Sequence, residues 1–184
     1  MARTASNMLP LGTVAPNFEL LDTISGKKVG LEQCKGSVGT LIAFICNHCP
    51  FVKHINKELA QLGKTYPEKG IGFVAISSND IENYPEDAPN LMKQTALAEG
   101  YAFPYLYDED QGVAKAYDAA CTPDFYIFDA DLKLVYRGQL DDSRPGNGIP
   151  VSGKDICDAL NALVAGESVN QMQKPSIGCN IKWK

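Results

Sequence analysis

The apolar and polar positions of the chain form short, regular patterns that predict a series of strands and helices. Residues 40–45 and 70–76 are nearly continuous apolar runs, which are typical of strands buried on both faces. Between them, apolar side chains recur at helical spacing with polar residues on the opposite face, at Phe51, Val52, Ile55, Leu59, Leu62 and Tyr66. A strand, a helix and a strand within about 40 residues predict a βαβ unit whose two strands are parallel.

Further elements are predicted on both sides of this unit. Residues 15–21 and 28–31 predict an N-terminal β-hairpin, preceded by a flexible lead-in over residues 1–10. The later elements are, in chain order, a helix over 87–100, a strand over 103–107, a weak helix over 112–119, an antiparallel hairpin of 122–128 and 132–138, a loop over 143–150, a helix after a capping sequence at Ser152 and Asp155, and a mobile C-terminal tail over 171–184. This order predicts one α/β domain over residues 1–184.

Length, composition and charge narrow the classes of function. A chain of 184 residues with 45% apolar residues suits one packed domain, since domains average about 150 residues. The net charge of −5 argues against nucleic acid or an anionic membrane as a partner, because both reward clusters of Lys and Arg. No apolar stretch has the length of a signal peptide or a membrane span. We therefore expect a cytoplasmic protein, in a compartment where closely spaced cysteines indicate redox catalysis or metal binding.

Two of the six cysteines, Cys46 and Cys49, carry the strongest chemical signal. They stand where the first buried strand meets the following helix, and the positive end of a helix favours a thiolate over a thiol. Their spacing lets the two sulfurs close a small disulfide ring. His48 directly precedes Cys49, and an imidazolium beside a thiolate lowers the thiol pKa further; the alternative is that His48 is a solvated turn residue. The pattern predicts a redox-active dithiol, made more oxidising by His48.

The other cysteines leave several roles open. Cys121 is either a third redox thiol or a small buried core residue, and the core interpretation is favoured. Cys179, in the predicted tail, either resolves a mixed disulfide or is a surface thiol. Cys34 and Cys157 stand among apolar neighbours and are expected to be structural.

Metal binding is the alternative class of function. Cys46 and Cys49, joined by His48 or Cys121, would offer sulfur and nitrogen ligands to zinc or copper(I). The chain has only two histidines and no second CxxC sequence to complete a tetrahedral set. We therefore favour a dithiol with no bound metal.

Thr122 and Pro123 open an apolar β-run in the second half of the chain. A strand–CxxC–helix–strand half, followed by this Thr-Pro pair, a hairpin and a closing helix, resembles the thioredoxin fold. The resemblance implies a central mixed β-sheet flanked by helices, here with an N-terminal β-hairpin extension. It also implies that Pro123 is cis and faces the dithiol. Thr122 and Pro123 would then form the substrate-side wall, with the backbone before the proline pairing with a bound substrate chain.

The resemblance extends to one branch of this superfamily. The sequence over residues 15–20, the long connection over 77–120, and Pro50-Phe51 after the dithiol resemble the alkyl hydroperoxide reductase/thiol-specific antioxidant branch. Within it, the CxxC-Pro-Phe-Val sequence and the Ser-Ile-Gly-Cys…Lys-Trp sequence over 176–184 are similar to a peroxiredoxin-like group. This resemblance implies a thiol-dependent oxidoreductase that acts on protein disulfides or hydroperoxides. It would use an external thiol reductant and no cofactor beyond its own dithiol.

The roles of the two cysteines depend on the substrate. For a protein disulfide, we expect Cys46 to be the more exposed, attacking thiol and Cys49 to resolve the mixed disulfide. For a peroxide, the resemblance reverses these roles, and Cys49 becomes the sulfenic acid. Cys46 stands where peroxiredoxins have Thr or Ser, no Arg precedes the late β-run, and Thr40 replaces the buried Asp of thioredoxins. These departures argue against fast peroxide reduction.

Overall fold

The computed structural model describes residues 3–184, which form ten strands and five α-helices. The strands are β1 (Arg3–Ala5), β2 (Glu19–Asp22), β3 (Lys28–Gly30), β4 (Gly39–Phe44), β5 (Ile71–Ser77), β6 (Tyr105–Tyr107), β7 (Cys121–Thr122), β8 (Asp124–Asp129), β9 (Leu134–Gly138) and β10 (Ile177–Asn180). The helices are α1 (Leu31–Cys34), α2 (Pro50–Thr65), α3 (Pro89–Glu99), α4 (Gly112–Ala116) and α5 (Lys154–Val164). None of these helices, within the described range, has the length and apolar character needed to cross a membrane.

Seven strands form a central mixed sheet in the order β3-β2-β6-β5-β4-β8-β9. β4 lies in its interior, parallel to β5 and antiparallel to β8, and all six of its residues are buried. Apolar side chains cover it on both faces, since Leu41 and Ala43 belong to one core cluster and Ile42 and Phe44 to the other. The predicted α/β fold, the parallel βαβ unit and the N-terminal hairpin of β2 and β3 are confirmed.

Four of the five helices follow the predicted order with shorter bounds, whereas α1 was not predicted. Pro50 occupies the first position of α2, where its missing N–H leaves no hydrogen bond unmade. Gly100 ends α3 with a positive φ of 72°, a backbone conformation that glycine adopts without steric cost. The predicted capping sequence at the start of α5 is wrong. α5 follows Gly153 with no side-chain cap, and the Asp155 carboxylate instead accepts a hydrogen bond from the Gln139 amide.

The two ends of the chain meet in a second, three-stranded sheet of order β1-β10-β7. β10 pairs antiparallel with β1 on one side and with β7 on the other. The predicted flexible lead-in and mobile tail are therefore wrong for the residues of β1 and β10, while residues 1 and 2 of the lead-in lie outside the described residues. Both segments are too short to be recognised as strands from periodicity, and they gain strand geometry by pairing across the fold.

Candidate active site

Cys46 and Cys49 lie between the end of β4 and the start of α2, as the sequence predicts. Cys49 directly precedes Pro50 and so occupies the N-cap position of α2. The structure buries both side chains, with 1% of Cys46 and 0% of Cys49 exposed. We expected Cys46 to be the more exposed thiol, but exposure does not distinguish the two cysteines, because both are enclosed in the apolar core cluster around α2.

Thr122 contacts both cysteines from the opposite side of the site. Its hydroxyl Oγ1 lies 3.4 Å from Cys46 Sγ, and its carbonyl oxygen lies 3.3 Å from Cys49 Sγ and accepts the proton of that thiol when it is protonated. The Thr122–Pro123 peptide bond is cis and interrupts the predicted continuous strand into β7 and β8. The structure thus brings Thr122 and Pro123 to the dithiol.

The backbone of β7 is not open to a substrate chain as we expected. β10 occupies its free side, with Cys179 opposite Thr122 and Asn180 opposite Cys121. This approach requires glycine at position 178, since a Cβ there would lie 1.9 Å from the Thr122 carbonyl oxygen. A strand of the protein itself, β10, therefore occupies the position where the resemblance implied a bound substrate chain.

Cys179 is part of the site and not a surface thiol. Only 1% of it is exposed, and its Sγ lies within hydrogen-bonding distance, 2.8 Å, of Cys49 Sγ. From the sequence, Cys179 lay in a tail and was either a thiol that resolves a mixed disulfide or a surface thiol, and its burial contradicts the second alternative. The Gly178-Cys179 pair was the available signal, because a glycine inside a strand marks a close approach of backbone.

The negative charge of the dithiol resides on Cys49, whose pKa is lowered to about 5. The largest cause is a hydrogen bond from the Cys46 thiol; burial opposes the shift, and the thiol and amide of Cys179 and the amide of Val52 increase it. Val52 stands in the first turn of α2, so the positive end of that helix faces the sulfur. The same hydrogen bond and burial raise the pKa of Cys46 well above its usual value.

The three remaining cysteines have higher pKa values than an ordinary thiol. Cys121 is fully buried on β7, where burial and the nearby Asp124 raise its pKa. Burial raises the pKa of Cys34 to about 12 and also raises that of Cys157 on α5. Cys49 therefore differs from every other cysteine of the chain in the direction of its shift.

His48 forms an ion pair with a carboxylate that the sequence placed only at the start of a helix. Its Nδ1 lies 2.6 Å from Asp87 Oδ2, and the other oxygen of Asp87 accepts the amides of Asn47 and His48. The hydrogen bond to Asp87 raises the pKa of His48, burial opposes this, and the charge of Cys49 adds to it. An imidazolium at this position stabilises the Cys49 thiolate in turn.

Three further residues connect this ion pair to the C-terminal segment, and sequence reasoning missed all of them. The side-chain amide nitrogen of Asn79 donates to Asp87 Oδ2 at 2.8 Å. The side-chain oxygen of Asn79, Oδ1, accepts the backbone N–H of Lys182 at 2.8 Å. Tyr84 stacks on His48 at 5.5 Å, and Lys182 Nζ lies 5.4 Å from the Tyr84 ring centre. Burial raises the pKa of Asp87, but the hydrogen bonds from His48 and Asn79 outweigh it and lower the pKa overall.

A possible metal-binding group consists of Cys46, His48 and Asp87, whose ligand atoms lie within 4.8 Å of one another. Asp87 already accepts hydrogen bonds from two backbone amides, from His48 and from Asn79. A metal would have to replace these donors at a fully buried carboxylate. The arrangement suits an ion pair that positions His48 better than it suits a metal ligand set.

Comparison with known proteins identifies the family. Residues 11–137 match the AhpC/TSA family. The chain belongs to that family. Members of the AhpC/TSA family are thiol-dependent oxidoreductases, so the predicted superfamily, branch and enzyme class are confirmed. The roles of the individual site residues stay predictions.

Solved structures of other proteins show the same fold. An uncharacterised conserved protein from Geobacillus kaustophilus is 64% identical, with a TM-score of 0.98 over 100% of this chain and 97% of that one. A hypothetical protein from Sinorhizobium meliloti 1021 is 48% identical, with a TM-score of 0.96 over 98% of each chain. The thioredoxin domain of a thiol-disulfide oxidoreductase from Bacteroides vulgatus shares the fold at 20% identity, with a TM-score of 0.59 over 74% of this chain and 90% of that one. No curated protein matches the chain.

Proposed function

We propose that the protein catalyses thiol–disulfide exchange through Cys46 and Cys49, with Cys49 as the nucleophile. The observation that carries this proposal is the position of Cys49 at the start of α2, where hydrogen bonds from two thiols and two amides lower its pKa to about 5. The thiolate, not the thiol, attacks a disulfide. Because Cys46 keeps its proton under the same conditions, it acts as the resolving thiol.

The reaction proceeds in two balanced exchange steps. The Cys49 thiolate attacks one sulfur of the substrate disulfide; that bond breaks, and the second substrate sulfur leaves as a thiolate. Cys46 then gives up its proton and attacks Cys49 Sγ, which forms the Cys46–Cys49 disulfide and releases the first substrate sulfur as a thiol. An external thiol reductant reduces the pair again. These roles are the reverse of those expected from the sequence for a protein disulfide.

His48 and Thr122 support these steps without reacting. Asp87 holds His48 in its protonated form beside the thiolate, which favours the reduced enzyme and makes the pair more oxidising. The Thr122 hydroxyl hydrogen-bonds Cys46 Sγ and lowers the cost of its deprotonation, and Pro123 shapes the same wall. We propose that the enzyme uses its own cysteine thiols and no cofactor, and that it works in the cytoplasm on protein disulfides or hydroperoxides.

Hydroperoxide reduction is a second candidate, favoured by the thiolate residing on Cys49. In this reaction the thiolate attacks the O–O bond and becomes a sulfenic acid, and an alcohol or water leaves. Cys46 then attacks Cys49 Sγ, releasing water and forming the disulfide. Neither Arg137 nor Arg144 supports this reaction in the way expected of a peroxidase, since Arg137 donates to Leu9 and Gln173, and Arg144 donates to neighbours in its own segment. The third arginine, Arg3, is exposed on β1, where it pairs with Cys179 in the sheet.

Steady-state turnover of a small disulfide and of a hydroperoxide, measured with the same thiol reductant, tests the proposal. We expect disulfide turnover by the wild-type protein, its loss in Cys49→Ser, and a mixed disulfide between Cys49 and the substrate that persists when both neighbouring thiols are removed in Cys46→Ser/Cys179→Ser. Cys157→Ser is the matched control, because that thiol lies on α5 away from the site. Full activity of Cys49→Ser would contradict the proposal, and turnover of the hydroperoxide alone would favour the second candidate.

A further inference from the structure

Cys49 contacts two thiols, one from each side. Cys46 hydrogen-bonds it within the CxxC sequence, and Cys179 approaches it from β10 at an Sγ–Sγ distance of 2.8 Å. A sulfur that already lies this close needs only a small shift to form a disulfide, and an intramolecular partner has a very high effective concentration. Cys49 can bond to only one of the two at a time. The site therefore offers two alternative disulfides.

The structure holds Cys179 in this position from both sides of β10. The strand pairs with β1 and with β7, and the Ser176 hydroxyl, just before it, donates to the Pro123 carbonyl oxygen at 2.5 Å. After the strand, the Ile181 amide donates to the Ala120 carbonyl oxygen at 3.1 Å. Together these contacts hold the Cys179 sulfur next to the nucleophile.

We infer that Cys179 is a third redox thiol, which exchanges with Cys46 for the bond to Cys49. The inference rests on the proposed role of Cys49 as the nucleophile. Starting from the Cys46–Cys49 disulfide, the Cys179 sulfur attacks Cys49 Sγ, the Cys46–Cys49 bond breaks, and the proton of Cys179 passes to Cys46. The product is a Cys49–Cys179 disulfide with Cys46 as a thiol. No electrons enter or leave, so the exchange needs no further oxidant.

The charge of the site changes in a direction that assists this step. In the reduced protein, burial and the neighbouring Cys49 thiolate raise the pKa of Cys179 to about 12. Once Cys49 is in a disulfide, its negative charge is gone, and that part of the shift is removed. Cys179 is thus a poor nucleophile while the site is reduced and a better one when there is a disulfide to attack.

Disulfide mapping in a protein that lacks Cys46 tests the inference. In Cys46→Ser, the Cys49 thiolate attacks oxidised glutathione and forms a mixed disulfide; Cys179 then attacks Cys49 and expels glutathione as a thiol. We expect an internal Cys49–Cys179 disulfide with no retained glutathione. The double variant Cys46→Ser/Cys179→Ser should keep the adduct at least about 100-fold longer, because the intramolecular nucleophile is gone. Cys46→Ser/Cys157→Ser is the matched control and should behave like Cys46→Ser.

The outcomes separate this inference from the proposed function. If the adduct persists equally in Cys46→Ser and in Cys46→Ser/Cys179→Ser, Cys179 is not a redox thiol, while Cys49 remains the nucleophile. If no adduct and no disulfide form in any variant, both ideas fail. A second measurement uses the wild-type protein, partly oxidised and quenched with acid. We expect both Cys46–Cys49 and Cys49–Cys179 linked peptides, and detection of the first alone would overturn the inference.

Discussion

Cys49 gains its reactivity from hydrogen bonds that neighbouring residues donate to its sulfur. The Cys46 thiol is the largest cause of the lowered pKa of about 5. We predict that Cys46→Ala, which removes this donor, raises the pKa of Cys49 by about one to two units, the equivalent of a hydrogen bond to a charged group. The thiolate absorbance in the ultraviolet, followed against pH, measures this directly and does not require the buried sulfur to be exposed to a reagent.

Cys46→Ser is the control for this titration, because its hydroxyl can still donate to Cys49. We expect a smaller rise in the pKa of Cys49 than in Cys46→Ala. Cys49→Ser should remove the low-pH step altogether, since burial raises the pKa of the thiols outside the site. Identical titration curves for the alanine and serine variants would show that the hydrogen bond from residue 46 does not lower the pKa of Cys49.

The sequence revealed some residues of the site and concealed others for a physical reason. Cys46, Cys49 and His48 are adjacent in the chain, so their chemistry can be read from a short motif. Asp87 reaches His48 only because a turn before α3 folds back over the start of α2, and Cys179 reaches Cys49 only through strand pairing. The contact of Asp87 leaves no local pattern in the sequence, and that of Cys179 leaves only the neighbouring Gly178.

Among the helices and strands, the long elements could be predicted from their own sequence, whereas the short ones depend on contacts made across the fold. α2 and β4 were predictable because burial dictates their apolar pattern over at least one full period. β1, β7 and β10 have two to four residues each, and their strand geometry depends on one another. The sheet that they form covers the dithiol and brings Cys179 to Cys49. The elements that were hardest to predict therefore determine which groups contact the nucleophile.

The close approach of β10 to β7 yields a prediction at position 178. A Cβ on Gly178 would lie 1.9 Å from the Thr122 carbonyl oxygen, so Gly178→Ala must push the two strands apart. We expect a loss of about 1–3 kcal/mol in the free energy of unfolding, as for other overpacked sites. The displaced strand should also carry Cys179 away from Cys49. Urea unfolding and the yield of the Cys49–Cys179 disulfide in a Cys46→Ser background measure the two effects.

Ile177→Ala provides the comparison for this variant. Ile177 lies on the same strand but is 36% exposed, so removing its side chain costs little burial and does not force β10 from β7. We expect a smaller loss of stability and an unchanged disulfide yield. If Gly178→Ala left the yield as high as Ile177→Ala does, the pairing of β10 with β7 would not be what positions Cys179.

For the whole molecule, the lowered pKa of Cys49 links stability to pH and to redox state. A thiol with a pKa near its ordinary value of 9.0 in the unfolded chain and of about 5 in the folded one stabilises the reduced protein. That contribution is fully present above the unfolded pKa and is lost as the pH falls through the folded pKa. In the oxidised protein Cys49 is part of a disulfide with either partner, so it does not titrate.

We therefore predict that the reduced protein gains stability relative to the oxidised protein as the pH rises from about 5 to about 7. The slope of ~1.4 kcal/mol per pH unit for one proton gives a gain of about 2 kcal/mol over this interval. Urea unfolding of both forms at matched pH values measures the difference. Asp87 faces His48 independently of the Cys49 sulfur, so we expect the part of the His48 pH dependence that comes from Asp87 to cancel between the two forms. If the free energies of unfolding of the two forms changed in parallel with pH, the folded protein would not stabilise the Cys49 thiolate. A difference that grows with pH would instead show that the same stabilisation makes the dithiol oxidising and strengthens the folded reduced protein.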